Sequence, residues 1–126
     1  MQAFESRMFA KWASREGVGD NALISAVGEM EQGLIDAMLG GQLVKKRIAL
    51  PGHGKRGSTR TLVAFKRGDK AFFIYGFAKN ERSNISDKEL QALRLLAKVL
   101  LSYPASVLAK TVQAGEMIEI KVSDNG

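Results

Sequence analysis

Eleven of the nineteen Lys and Arg residues lie between Leu43 and Arg82: Lys45, Lys46, Arg47, Lys55, Arg56, Arg60, Lys66, Arg67, Lys70, Lys79 and Arg82. Only Asp69 and Glu81 oppose them in that stretch, which also holds the chain's densest aromatic run, "KAFFIYGFA". Guanidinium and ammonium groups neutralise phosphate oxygens, and an aromatic ring beside them stacks a nucleobase. The chemistry to expect from such a cluster is recognition of a nucleic acid backbone. Its alternative, the commoner case on composition alone, is a solvated basic face with no ligand.

Other chemistries find less support. His53 is the sole histidine and there is no cysteine, so a multi-His or thiolate metal site cannot form, and a disulfide framework is excluded. No cofactor is expected. His53 titrates near neutrality in a basic loop and is a candidate contact or proton-transfer residue, though most lone histidines are bystanders. The glycines of "GHGKRG" free the backbone, but the segment lacks the GxxxxGK[ST] spacing of a phosphate-binding P-loop; it reads as a mobile basic loop between strands. Arg67-Gly68-Asp69 spells an adhesive tripeptide and reads as a hairpin turn.

The elements that must carry these residues follow from periodicity. Phe4 to Ala10 fits either a short strand or the first turn of a helix running through Trp12 to Arg15, broken at Gly17 to Asp20. Leu23, Ile24, Val27, Met30, Leu34, Ile35 and Met38 form a helical stripe over 21–39, capped by Asp20 or Asn21 and ended by Gly40 and Gly41. "QLVKKRIAL", "RTLVAFK" and "KAFFIYGFA" read as three strands, the last two joined in a hairpin. Ser86 and Glu89 make a capping box before a Leu-rich helix, Pro104 opens a short helix to Gln113, and "EMIEIKV" alternates as an edge strand. Alternation in the third strand puts Phe73, Tyr75, Phe77 and Lys79 on one face and Phe72, Ile74, Gly76 and Ala78 on the other. The favoured register packs Phe72 and Ile74 under helices and leaves Tyr75 and Lys79 outward beside Arg60.

The result is an α+β chain, helices first, then a small antiparallel sheet, then helices packed on it, in one domain over 1–126 whose tail, 104–126, is a helix plus an edge strand. A formal charge of +6 and a pI of about 9.8 favour polyanions or an acidic protein as partners. The longest apolar run, "LRLLAKVLL", is interrupted by Arg94 and Lys98 and is too short for a membrane span. No signal peptide is read at the start, and the cytoplasm is the expected compartment.

The segment "GGQLVKKRIALPGHGKRGSTRTLVAFKRGDKAFFIYGFAKNERSNI", with the helix after it, resembles the RelE/HigB-like toxins of bacterial type II toxin-antitoxin modules. The most specific elements are the basic "KKR" strand, the "GKRG..R" loop and "YGFAKNE", and the resemblance spans Leu23 to about Leu101. It implies the RelE-like microbial ribonuclease fold: N-terminal helices, a twisted antiparallel sheet and a C-terminal helix on the sheet. It further implies ribosome-dependent, metal-independent cleavage of mRNA by attack of the neighbouring 2′-hydroxyl.

By motif, Arg56 and Arg60 match the cations that clamp the scissile phosphate and Lys79 the lysine that transfers a proton. Glu81 is a candidate base or a salt-bridge partner. Lys45, Lys46, Arg47, His53, Lys55, Tyr75, Asn80 and Arg82 make up the implied RNA-contacting set. The implied partners are mRNA on the 70S ribosome and an antitoxin, often of helix-turn-helix type. That antitoxin would lay an acidic segment over Lys45, Arg47 and Arg60 or dock on the N-terminal helices near Met30, Ile35 and Met38. Some relatives end in a catalytic Tyr or His that the tail here lacks, Tyr103 being the nearest candidate. The same fold in a sister branch poisons DNA gyrase, and a non-catalytic RNA- or ribosome-binding module is a third possibility.

Overall fold

The computed structural model describes residues 1–49, 59–78 and 85–121. The chain runs β1 (Gln2–Ser6), α1 (Arg7–Glu16), α2 (Asp20–Glu31), β2 (Ala37–Met38), β3 (Leu43–Ile48), β4 (Thr59–Lys66), β5 (Lys70–Ala78), α3 (Asp87–Ser102), α4 (Ala105–Gln113) and β6 (Met117–Ile120). All six strands join one sheet in the order β2-β3-β4-β5-β1-β6. The α+β class and the closing helices and strand are as the sequence indicates. The sheet is mixed rather than purely antiparallel, because β1 lies parallel to β5.

The start of the chain resolves the ambiguity at Phe4 to Ala10 by using both readings in turn. Ala3, Phe4 and Glu5 are buried in β1, and Ser6 then caps α1 by accepting a hydrogen bond from Phe9 N at 3.1 Å. Gly17, at φ 76°, closes α1 in the left-handed conformation that favours glycine.

The helix expected over 21–39 ends at Glu31, which corrects that expectation. Gly33 takes φ 88°, and β3 captures the chain beyond it. Lys46 Nζ donates to Leu34 O at 3.0 Å, Asp36 N to Lys45 O at 3.0 Å, and Arg47 N to Asp36 Oδ2 at 2.6 Å. The apolar spacing of Leu34, Ile35 and Met38 continues, but Leu34 and Met38 are exposed. Tertiary hydrogen bonds at a sheet edge override the local helical period here. Gly40 and Gly41, at φ 88° and 61°, instead form the turn into β3, clasped by Arg94 of α3, whose Nε donates to Leu39 O at 2.5 Å.

Two apolar layers sandwich the sheet. On one face, Phe9, Trp12, Leu23 and Met30 of α1 and α2 pack on Val44, Val63 and Phe73; on the other, Ala97, Leu100 and Leu108 of α3 and α4 pack on Leu43, Leu62 and Phe72. Phe9 meets Phe73 with ring centroids 5.5 Å apart, and Phe4 stacks on Phe72 at 5.2 Å. The capping box at Ser86 and Glu89 is formed, fixing where α3 begins. Among the described residues no single helix is long and apolar enough to cross a membrane.

One irregularity governs side-chain direction. The β4–β5 pairing shifts register between Leu62 and Val63, which pair with Tyr75 and Phe73 and leave Ile74 as the extra residue of a β-bulge. Past the bulge the alternation of β5 is reversed. Tyr75 pairs with Leu62 and joins the face of Phe72, whereas Gly76 turns to α1 and lies under the Trp12 ring. The simple alternation read from sequence is therefore corrected: Phe73 and Tyr75 lie on opposite faces, and Gly76 is no longer on the face of Phe72.

Two predictions arise from this packing. A Cβ on Gly76 would overlap the six-membered ring of Trp12, so Gly76→Ala should lower the unfolding free energy by about 1–3 kcal/mol. In a Trp12→Ala background most of that cost should vanish, measured as a double-mutant cycle in urea; additive losses would contradict the contact.

The second concerns Glu5, which is 7% exposed. Burial, reinforced by the charge of Asp20, raises its pKa from 4.5 to about 7. Because the folded state then holds a proton that the unfolded state has released, stability should fall as pH rises from 4.5 to 7. Glu5→Gln should remove that slope and gain on the order of 1–3 kcal/mol over the parent at pH above the window. Parallel pH–stability curves for the two proteins would contradict it.

Candidate nucleic-acid interface

The α3–α4 layer packs on Leu43, Leu62 and Phe72, and the expected cations follow Leu43 along β3 and precede Leu62 on β4. Leu43 marks the covered face on β3, so alternation places Lys45 and Arg47 on the same side. Leu62 and Ala64 do the same for Arg60 on β4. In register, Arg47 lies opposite Arg60, and Arg60 opposite Phe77; in the next row Lys45 faces Leu62, and Leu62 faces Tyr75. The Tyr75 and Phe77 rings are 6.1 Å apart at 51°. Three cations and two aromatic rings thus share one face. Strand alternation already sets Phe77 on the face of Tyr75, and its ring is buried there.

Arg60 is the anomaly of this surface. Among the described residues, two buried side-chain polar atoms lack a hydrogen-bond partner, Trp12 Nε1 and Arg60 Nη1. A charged donor withdrawn from water without an acceptor is costly. Setting Arg47 directly opposite adds a like-charge repulsion of about 0.2–1 kcal/mol. An anion between the two guanidinium groups relieves both terms, and a phosphate oxygen suits the fork geometry of arginine.

Lys46 has another task. It points to the opposite face, is 7% exposed, and its Nζ lies 2.8 Å from Glu29 Oε1 while donating to Leu34 O. It holds α2 and the following turn onto β3 and takes no place in the basic row. Arg67, Gly68 and Asp69 make the hairpin turn, with Gly68 N donating to Glu31 Oε1 at 3.0 Å. Arg56, Lys79 and Glu81, and likewise His53, Lys55, Asn80 and Arg82, lie outside the described residues. Of the twelve residues singled out from sequence, the structure brings together Lys45, Arg47, Arg60 and Tyr75.

The family model described as the RelE toxin of the RelE/RelB toxin-antitoxin system matches residues 1–120. No curated protein matches the chain significantly. The chain belongs to the RelE toxin family, and its function is that of a toxin in a toxin-antitoxin system, with an antitoxin as partner.

The division of labour between neighbouring lysines and arginines is testable by stability alone. Lys46→Ala should cost about 1–3 kcal/mol in urea unfolding, because it removes a buried stem and its bonds to Glu29 and Leu34. Lys45→Ala and Arg47→Ala should stay within about 0.5 kcal/mol of the parent. Equal losses for all three would contradict the assignment of Lys46 to the scaffold.

Proposed function

We propose that this toxin is a metal-independent endoribonuclease that cuts mRNA on the ribosome and so arrests translation. The observation that carries the reading is the buried, unpartnered Arg60 Nη1 opposite Arg47 and beside Phe77. A site for a bare anion would need the cations alone. Tyr75, half-buried on the same face, supplies the ring that a nucleobase needs, which favours RNA over a simple phosphate.

The chemistry needs three services: removal of the 2′-hydroxyl proton, stabilisation of charge on the pentacoordinate phosphorus, and a proton for the departing 5′ oxygen. Attack of the 2′ oxygen on the adjacent phosphorus forms one P–O bond as the bond to the 5′ oxygen breaks, leaving a 2′,3′-cyclic phosphate and a 5′-hydroxyl. Arg60, joined by Arg56 through its motif match, holds the non-bridging oxygens. Lys79 and Glu81 are assigned to proton transfer by the same match. Lys45 and Arg47 track the RNA backbone, and Tyr75 stacks a base. In this reading the toxin acts in the cytoplasm and its antitoxin is a helix-turn-helix protein.

Growth arrest and cleavage of a defined message with 70S ribosomes test the assignment together. Arg60→Ala should lose on the order of 10² or more in cleavage rate, in the range of a lost transition-state donor, with its melting temperature unchanged or raised by relief of the Arg47 repulsion. Lys110→Ala, on α4 and away from the face, should cleave like the parent. Parental toxicity of Arg60→Ala at matched expression would remove Arg60 from the site, and intact message with inhibited DNA supercoiling would replace the ribonuclease with a gyrase poison.

A further inference from the structure

A groove between α1 and α3 shares only Tyr75 with the chemistry above. It encloses about 570 Å³, walled by Met8 and Trp12 on one side and Leu93 and Leu96 on the other, with Ile74 and Gly76 in its floor. Trp12 Nε1 is buried there without a hydrogen-bond partner. Beyond the groove α3 remains apolar: Leu95 is 67% exposed, Val99 46% and Leu96 40%, and Met8 across the groove is 82% exposed. At 100° per residue Leu95 and Val99 lie away from Ala97 and Leu100, which face the sheet, and Leu96 lies on the flank between the two. The helix therefore carries a second apolar face with no cover among the described residues, and contiguous exposed apolar surface of this kind marks an interaction site.

The rim of the groove says what covers it. Arg7, Lys11 and Arg15 recur every four residues along α1 and so form one exposed ridge. Arg7 and Arg15 line the groove, where Glu116 is the lone acid. A second copy of this chain would bring an identical basic ridge and a further net charge of +6, which opposes self-association. An acidic, apolar segment meets both requirements.

We propose that the α1–α3 groove is the docking site for an amphipathic, acid-flanked segment of the antitoxin. Its apolar side covers Met8, Leu96 and the outer face of α3, and its acids pair with Arg7, Lys11 and Arg15. Tyr75 lines the groove as well as belonging to the basic face. A segment seated in the groove therefore reaches the border of the RNA-binding surface and hinders ribosome entry by its bulk, leaving Arg60 itself uncovered. The docking rests on membership of the toxin family alone, and only the hindrance of ribosome entry rests on the ribonuclease reading.

The test uses the antitoxin encoded with this chain, with its affinity for the full-length toxin measured by titration calorimetry at low and physiological salt. Leu96→Asp, its more exposed neighbour Leu95→Asp, and the pair Lys11→Glu with Arg15→Glu all alter surface residues, and circular dichroism checks that each folds. Each should raise Kd at least tenfold, about 1.4 kcal/mol, and the charge pair should also flatten the salt dependence. Arg47→Glu should leave Kd unchanged, and the free groove variants should keep whatever activity the parent shows. Unaltered Kd in the folded groove variants overturns the proposal. So does a loss confined to Arg47→Glu, which moves the antitoxin to the basic face, or a dimer of the free chain that Leu96→Asp dissolves, which gives the groove to a second copy.

Discussion

The single extra residue in β5, opposite the step from Leu62 to Val63, decides which chemistry each face of the sheet can carry. Before it, Phe72 and Phe73 serve two separate cores, one under α3 and α4 and one under α1 and α2. After it, the pleat is reversed, so Tyr75 and Phe77 turn to the side of Arg47 and Arg60, and Gly76 turns to Trp12. Without the bulge, the aromatic rings would point into the α1 layer and the glycine would sit in the basic row. Bulges locally bend strands and re-aim side chains, and here they bring the half-buried Tyr75 ring onto the face of Arg60.

The same end of the sheet carries its electrostatic cost. Arg47 and Arg60 face each other across paired strands, and one nitrogen of Arg60 is buried without an acceptor among the described residues. No acid among the described residues offsets this pair: Asp36 is occupied by the backbone of Arg47, and Glu29 by Lys46. A guanidinium nitrogen without an acceptor differs from a structural ion pair in that an incoming anion would satisfy it. The scaffold uses its third neighbouring cation, Lys46, in the opposite way, neutralised and turned inward. Strand alternation alone separates the two fates.

Much of this was legible in the residues. The β3, β4 and β5 strands, the turn at Gly68, the capping box at Ser86, the helix after Pro104 and the edge strand β6 follow from local signals strong enough to survive in the folded chain. Arg60, Arg47, Lys45 and Tyr75 were drawn together by charge density and motif, and the sheet register agrees. The exceptions share a cause: each depends on contacts distant in sequence. The end of α2 is set by Lys46 reaching back to Leu34 and Asp36 bonding to β3, which no helical period encodes. The bulge, and with it the turn of Gly76 toward Trp12, lies in the pairing of β5 with β4. The second apolar face of α3 was hidden for a simpler reason: a Leu-rich helix reads as core whether or not anything covers all of it.

The proposed cleavage of RNA at the Arg47–Arg60 face, through the 2′-hydroxyl, leaves distinctive ends. The most direct test is the chemistry of the ends produced when purified toxin acts on a defined message bound to 70S ribosomes. Attack by the 2′ oxygen predicts upstream fragments ending in a 2′,3′-cyclic phosphate or its ring-opened phosphate, and downstream fragments starting with a 5′-hydroxyl that polynucleotide kinase labels without prior phosphatase treatment. Fragments carrying 5′-phosphates and 3′-hydroxyls, or a message left intact on toxin-saturated ribosomes, would contradict it.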